Sequence, residues 1–359
     1  MKKQDRELPR SACALSQRSV GTTLRVACIF MLKKTIIAIV KLTLIVGLFA
    51  FLTARALQGA AFSDIRVDGR GIAFLSAGFL FSFVATTITV VRWRALTLAL
   101  GVSLSLRDAL RFGFLGFAFN LSPLGVVGGD ATKIVLVAKK TSISAEAATA
   151  SVVIDRFIGL YAMFALGLGV AFASGFYAKP EPLARCTTQG LLALTLASTI
   201  FLACVVIPPS RRNRREKLAG AFPFVGALLQ KATAATLLYR RRKATLFNAF
   251  IATLAVHSLF SVALYCFAAG LYVDVPSPLD HFVLYCSANV GSTIPLSAGP
   301  FEYFLDELYP LFRSAATTAF SAGHGATIGV AYRLAAVGVA ILGVVYYIAS
   351  SKTDKTAKR

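Results

Sequence analysis

Long apolar runs separated by short basic segments dominate the chain. A helix that crosses a bilayer needs about 20 predominantly apolar residues. Runs of that kind occupy 35–52, 71–91, 147–175, 189–207, 244–271 and 325–350. The pattern predicts six spanning helices. Two further apolar stretches, 109–129 and 281–301, are broken by Pro, Gly and Asn. They are expected to dip into the membrane and turn back as re-entrant segments. No run shows the short two-residue alternation of a membrane β-barrel. The expected fold class is all-α, a polytopic helical membrane protein.

The basic residues then orient the spans, because short cytoplasmic loops carry an excess of Lys and Arg. Arg92, Arg94, Arg107 and Arg111 place the loop after the second span inside, and Lys133, Lys139 and Lys140 place the next loop there too. The loop near 176–188 carries only Lys179, Glu181 and Arg185 and is expected outside. Two clusters, Arg211–Arg215 and Arg240–Lys243, bracket a stretch too short to cross comfortably. Residues 216–239 are therefore expected to lie in the inner interface as an amphipathic helix. The acidic segment 272–324 falls outside, and both termini fall in the cytoplasm. The domain reading is a basic tail over 1–34, a membrane domain over 35–350 and a short tail over 351–359.

Composition narrows the picture. Of 359 residues, 57% are hydrophobic and 15% charged, whereas a soluble domain sits near 45–50% and about 25%. A soluble enzyme is excluded on that ground. The net charge of +22 follows the inner loops and fits an anionic leaflet; no basic soluble domain is present to bind nucleic acid. The six cysteines and three histidines (His257, His281, His324) follow no metal spacing, and no cofactor is expected. The segment from Met31 resembles a start of its own and mimics a signal peptide, with Ala54, Arg55 and Ala56 as a cleavage triplet. Its length and Lys41 favour a retained span.

The two broken stretches repeat one another. The first contains Asn120, Pro123, Gly128, Gly129 and Asp130, and the second Asn289, Pro295, Gly299 and Glu302. The prolines are separated by 295 − 123 = 172 residues, and the acids by 302 − 130 = 172. Three spans intervene, so the two stretches are expected to enter from opposite faces as an inverted repeat, about 71–176 and about 244–350. Paired broken segments of that kind meet near mid-membrane around a transport site. The glycines are read as turn formers and the prolines as helix breakers.

These residues carry a resemblance. RWR (92–94), the Asn120 to Asp130 loop, DRFIGL (155–160), IPLSAGPFE (294–302) and AYRLAAVGVAILG (331–343) resemble, in order, the transmembrane region of lysylphosphatidylglycerol synthases and the wider flippase-like family. The resemblance covers about residues 35–350. It implies a lipid translocase, in a stand-alone member expected to lack the aminoacyl-transfer domain. The chain departs from the commoner family pattern at Pro300 and Phe301, where many members carry Gly-x-Gly before the acid.

Ionisable groups at membrane depth are costly and default to functional roles. Arg156 and Arg333, helped by Lys133, are candidates for a lipid phosphate, which matches the planar guanidinium fork. The competing expectation makes them structural, with Asp155 bridging Arg333 or Asp130 bridging Arg156. Asp130 and Glu302, and with them Asp155, are read either as capping acids or as a proton or cation site coupled to lipid movement. Arg92, Trp93 and Arg94 are read as an interfacial anchor. The expected partners are membrane lipids, anionic or phosphate-bearing, and a lipid-biosynthetic enzyme. Two functions stay open: a translocase in the bacterial inner membrane, or a non-transporting membrane scaffold or partner of a lipid-modifying enzyme.

Overall fold

The computed structural model describes residues 39–59, 61–66, 68–122, 125–141, 143–206, 238–239, 242–294, 296, 298–312 and 322–356. Ten α-helices account for most of them, and no strand occurs among them. In chain order they are α1 Ile39–Gln58, α2 Gly69–Ala99, α3 Leu106–Asn120, α4 Gly125–Thr141, α5 Ala145–Ala173, α6 Pro182–Val206, α7 Lys243–Leu271, α8 Pro278–Ala288, α9 Pro300–Leu308 and α10 His324–Thr356. The chain divides into two units after Gly47. The first contributes the opening half of α1, whose Ile39, Val40, Leu42, Leu44 and Val46 are exposed as a lipid-facing helix requires. Everything below concerns the second, Leu48–Arg359.

Among the described residues, five helices, α1, α2, α5, α7 and α10, are long and apolar enough to cross a membrane. Six spans were expected. The remaining expected run, 189–207, falls on the 25-residue α6. The expected interfacial helix over 216–239 lies outside the described residues except for its last two. Tyr239, at that edge, is buried and donates a hydrogen bond to the Leu96 carbonyl at 2.8 Å.

The helix α2 shows how such a segment stays satisfied in an apolar medium. Asp68 caps it by accepting from the Gly71 N–H at 2.6 Å. The hydrogen-bonded Arg66 guanidinium, together with that N–H, holds the Asp68 carboxyl below its ordinary range, so the cap stays ionised. Ser82, Thr86, Thr87, Thr89 and Thr97 each return their hydroxyl to the carbonyl four residues back. No polar hydrogen of these side chains is left facing hydrocarbon. The helix ends at Gly101, whose φ of +83° is open to glycine.

Shifted by 172 residues, α2 falls on α7, which also ends at 271. The same shift carries the start of α3 to 278, where α8 begins, and lays α4 over α9 and α5 over the first part of α10. Packing follows the correspondence. The helices α2 and α7 lie along each other, α3 packs on α10, and α8 packs on α5. Each half thus lends its broken hairpin to the other half's last helix. At the α2–α7 contact, a Cβ at Gly71 would stand 2.7 Å from the Gly270 carbonyl oxygen. Two glycines let the helices close there.

Candidate functional site: a cavity between the two broken hairpins

Each interrupted stretch forms two helices that pack together across a break. In the first, α3 ends at Asn120 and α4 begins at Gly125. In the second, α8 runs into a 3-10 turn, Asn289–Thr293, and α9 begins at Pro300. Pro123 and Pro295 fall outside the described residues. The glycines divide differently from expectation. Gly299 does hold a positive φ, +104°, at the turn into α9. Gly128 and Gly129 instead lie inside α4, and the turn residue is Gly125, φ +60°. The reason for Gly129 is proximity. Any side chain there would meet the Asn120 amide and the Gly116 carbonyl well inside van der Waals distance.

A cavity of about 180 Å³ opens between the hairpins. Asn120 and Val126 come from the first break, and Asn289, Leu296 and Pro300 from the second. The wall is completed by Ser82 and Thr86 of α2, Phe260 of α7, and Tyr332 and Arg333 of α10. Arg333 is the one charged residue among the described lining.

Arg333 is held by the second loop. Its Nε donates to Glu302 Oε1 at 2.8 Å, and Glu302 Oε2 accepts from the Gly299 N–H at 2.8 Å. Glu302 is fully buried. One carboxylate thereby closes half of a capping box at the start of α9 and binds the arginine of α10. Glu302 thus stands at a capping position of α9. The neighbouring helix makes room through Gly329, where a Cβ would stand 3.0 Å from Glu302 Cγ. Asp130 differs: it lies in the second turn of α4, past the positions a cap can serve, and pairs with Arg156 instead.

That pair belongs to a second charged group, apart from the cavity. Arg156 Nη2 donates to Asp130 Oδ1 at 2.7 Å, and its Nε reaches both carboxylate oxygens at 3.0 Å. Asp155 does not bridge Arg333. Consecutive residues on a helix point about 100° apart, so Asp155 faces α2 while Arg156 faces α4. Arg92 Nε donates to Asp155 Oδ1 at 2.9 Å, and Arg92 Nη1 donates to the Thr253 hydroxyl of α7. Lys133 is buried beside them, with Nζ 5.3 Å from the centre of the Trp93 ring. It makes no ion pair with a described carboxylate, so three cations share two acids. Of the three residues expected at a headgroup, only Arg333 reaches the cavity.

The RWR triplet is therefore not in a loop. Its residues lie inside α2, with Arg92 nearly buried and Trp93 fully so. The helix continues because nothing after Arg94 breaks it before Gly101. A third charged group had no signal in the sequence. Arg55 of α1 pairs with Glu307 and, at 3.4 Å, with Asp306. Asp306 Oδ1 accepts from the N–H groups of Gly323 and Ala326 at the start of α10. The triplet read as a cleavage mimic is thus helical, with Ala56 buried.

The family model for the lysylphosphatidylglycerol synthase TM region matches residues 37–349. The chain belongs to this family. It is an integral membrane protein of lipid metabolism or transport. The match covers both broken hairpins, the cavity between them and all three charged groups of this TM-region protein. No curated protein matches the chain.

Proposed function

We propose that this lysylphosphatidylglycerol synthase TM-region protein moves a phospholipid or isoprenoid-type lipid between the leaflets of the bacterial inner membrane. The observation that carries the reading is the cavity shared by the two broken hairpins, with Arg333 on its wall. A surface scaffold needs no such space. Non-helical backbone at membrane depth is tolerated where it lines a cavity or is buried in protein, and both breaks contribute to this one. The 172-residue correspondence supports an inverted repeat whose hairpins enter from opposite faces. The headgroup occupies the cavity while the acyl chains stay in the bilayer. Arg333 takes the phosphate, and the Arg156–Asp130 and Arg92–Asp155 pairs brace the first half around Lys133.

Transport of a labelled lipid in proteoliposomes tests the reading. Arg333→Lys keeps the charge and loses the planar fork, so its rate is expected to fall about tenfold, the worth of one charge-assisted hydrogen bond. Glu302→Gln keeps an acceptor for Gly299 and loses the countercharge. Near-normal rates in both variants, at matched reconstitution, would remove Arg333 from the path.

The topology has its own measurement. Lys139, Glu181 and Asp274 are exposed, and single cysteines there report sidedness to an impermeant thiol reagent. Position 139 is expected to react from the cytoplasm only, and positions 181 and 274 from the outer face only. Reaction of 139 and 274 from one face would overturn the inverted arrangement.

A further inference from the structure

We infer that the headgroup this cavity accepts is a polyol phosphate: a phosphate ester bearing hydroxyl groups and no ammonium. The inference rests on the proposed translocation only for the lipid-linked form of that group; the recognition chemistry stands on the wall itself.

Three observations lead there. The first is charge. Arg333 is the one charged residue among the described lining, and its counter-ion Glu302 lies behind the wall with both oxygens engaged. A phosphate entering the cavity finds a guanidinium. An ammonium entering it finds the same guanidinium and no carboxylate within the described wall, so a cationic headgroup is repelled with no compensating partner.

The second observation is the polar complement. Ser82 and Thr86 donate their hydroxyl hydrogens to helix carbonyls, Ser82 to Gly78 at 2.9 Å and Thr86 to Ser82 at 2.8 Å. Their oxygens are left as acceptors. Asn120 Oδ1, by contrast, is sealed off beside Gly129. Two hydroxyl acceptors beside one guanidinium suit a ligand that offers O–H donors at one end and phosphate oxygens at the other. Phe260, Phe301 and Tyr332 add aromatic surface, with the Phe301 and Tyr332 ring centres 5.2 Å apart. Such rings pack against the C–H faces of a polyol.

The third observation is size. A cavity of about 150 Å³ accommodates benzene, and this one measures about 180 Å³. There is room for a glycerol phosphate or one six-membered polyol ring.

The test uses the purified full chain in two arms. In solution, sn-glycerol 3-phosphate and myo-inositol 1-phosphate are titrated against phosphoethanolamine and inorganic phosphate, with thermal stability as the readout. In proteoliposomes, the transbilayer rates of labelled phosphatidylglycerol and phosphatidylinositol are compared with those of phosphatidylethanolamine and lysylphosphatidylglycerol. The polyol forms are expected to lead by about tenfold or more in both arms, because a site built to bind hydroxyls rejects ligands lacking them. Ser82→Ala should erase most of that lead. Thr86→Val, which keeps the shape of a buried helical position, should reduce it without loss of folding.

Equal or faster movement of the ammonium-bearing lipids would overturn the headgroup assignment and leave translocation standing. Binding of the soluble polyol phosphates with no movement of any lipid would uphold the assignment, mark the free compound as its source, and sink the translocase reading. Inorganic phosphate binding as well as the polyol phosphates would overturn the polyol part.

Discussion

Arg92→Met is expected to destabilise the protein more than any other single change in the charged groups. Both side chains of the Arg92–Asp155 pair are about 5% exposed, and Arg92 also carries the hydrogen bond to Thr253 that ties α2 to α7. Removing the arginine strands a buried carboxylate, a situation that costs about 3–5 kcal/mol. A fall of that size should appear in thermal or denaturant unfolding in nanodiscs. The double variant Arg92→Met with Asp155→Leu should recover most of the loss, because replacing both partners of a buried pair by apolar groups is often near neutral. If the single variant unfolds like the parent, the pair does not brace the first half. Arg156→Met should cost less, since the side chains of its pair are 37% and 20% exposed against about 5% for both partners of the first.

Gly129→Val is the second. The Cβ of any residue there overlaps both the Asn120 amide and the Gly116 backbone carbonyl. Asn120 could turn away, but a helix carbonyl cannot, so α4 must separate from α3. Overpacking of this kind typically costs about 1–3 kcal/mol, and here it also displaces Asn120 from the cavity wall. Lipid transport should fall at least as steeply as stability. Gly169→Val, on α5 with no atom within 4 Å of the Cβ position, serves as the comparison. Parallel behaviour of the two variants would show that the contact at Gly129 does not set the hairpin.

The sequence by itself determined the class. Apolar runs of spanning length with few charges leave a chain no soluble alternative, and the helix ends followed local signals such as Asp68, Ser144 and Ser277, each a side-chain cap in the structure. The repeat was legible because Pro, Gly and an acid are rare enough in apolar segments for a constant offset to stand out. The motifs around Asp155, Glu302 and Arg333 were legible for the same reason, and the family followed from them.

Which charge meets which was decided only in three dimensions. Asp155 and Arg156 adjoin in sequence, yet helical rotation sends one to Arg92 and the other to Asp130. Arg55 and Glu307 are 252 residues apart, and no local pattern links them. Charge counting placed Arg92 in a loop, because a hydropathy window ends a span at the first arginines. The helix itself runs on, because a buried carboxylate from α5 and a hydroxyl from α7 complete the hydrogen bonding that the membrane denies. Gly129 reads as a turn former in one dimension and proves to be the contact point of two helices. The cavity is the furthest from the sequence. Its walls come from α2, α7, α10 and both breaks, so its size and the single charge among its described residues exist only once the two halves have exchanged their hairpins.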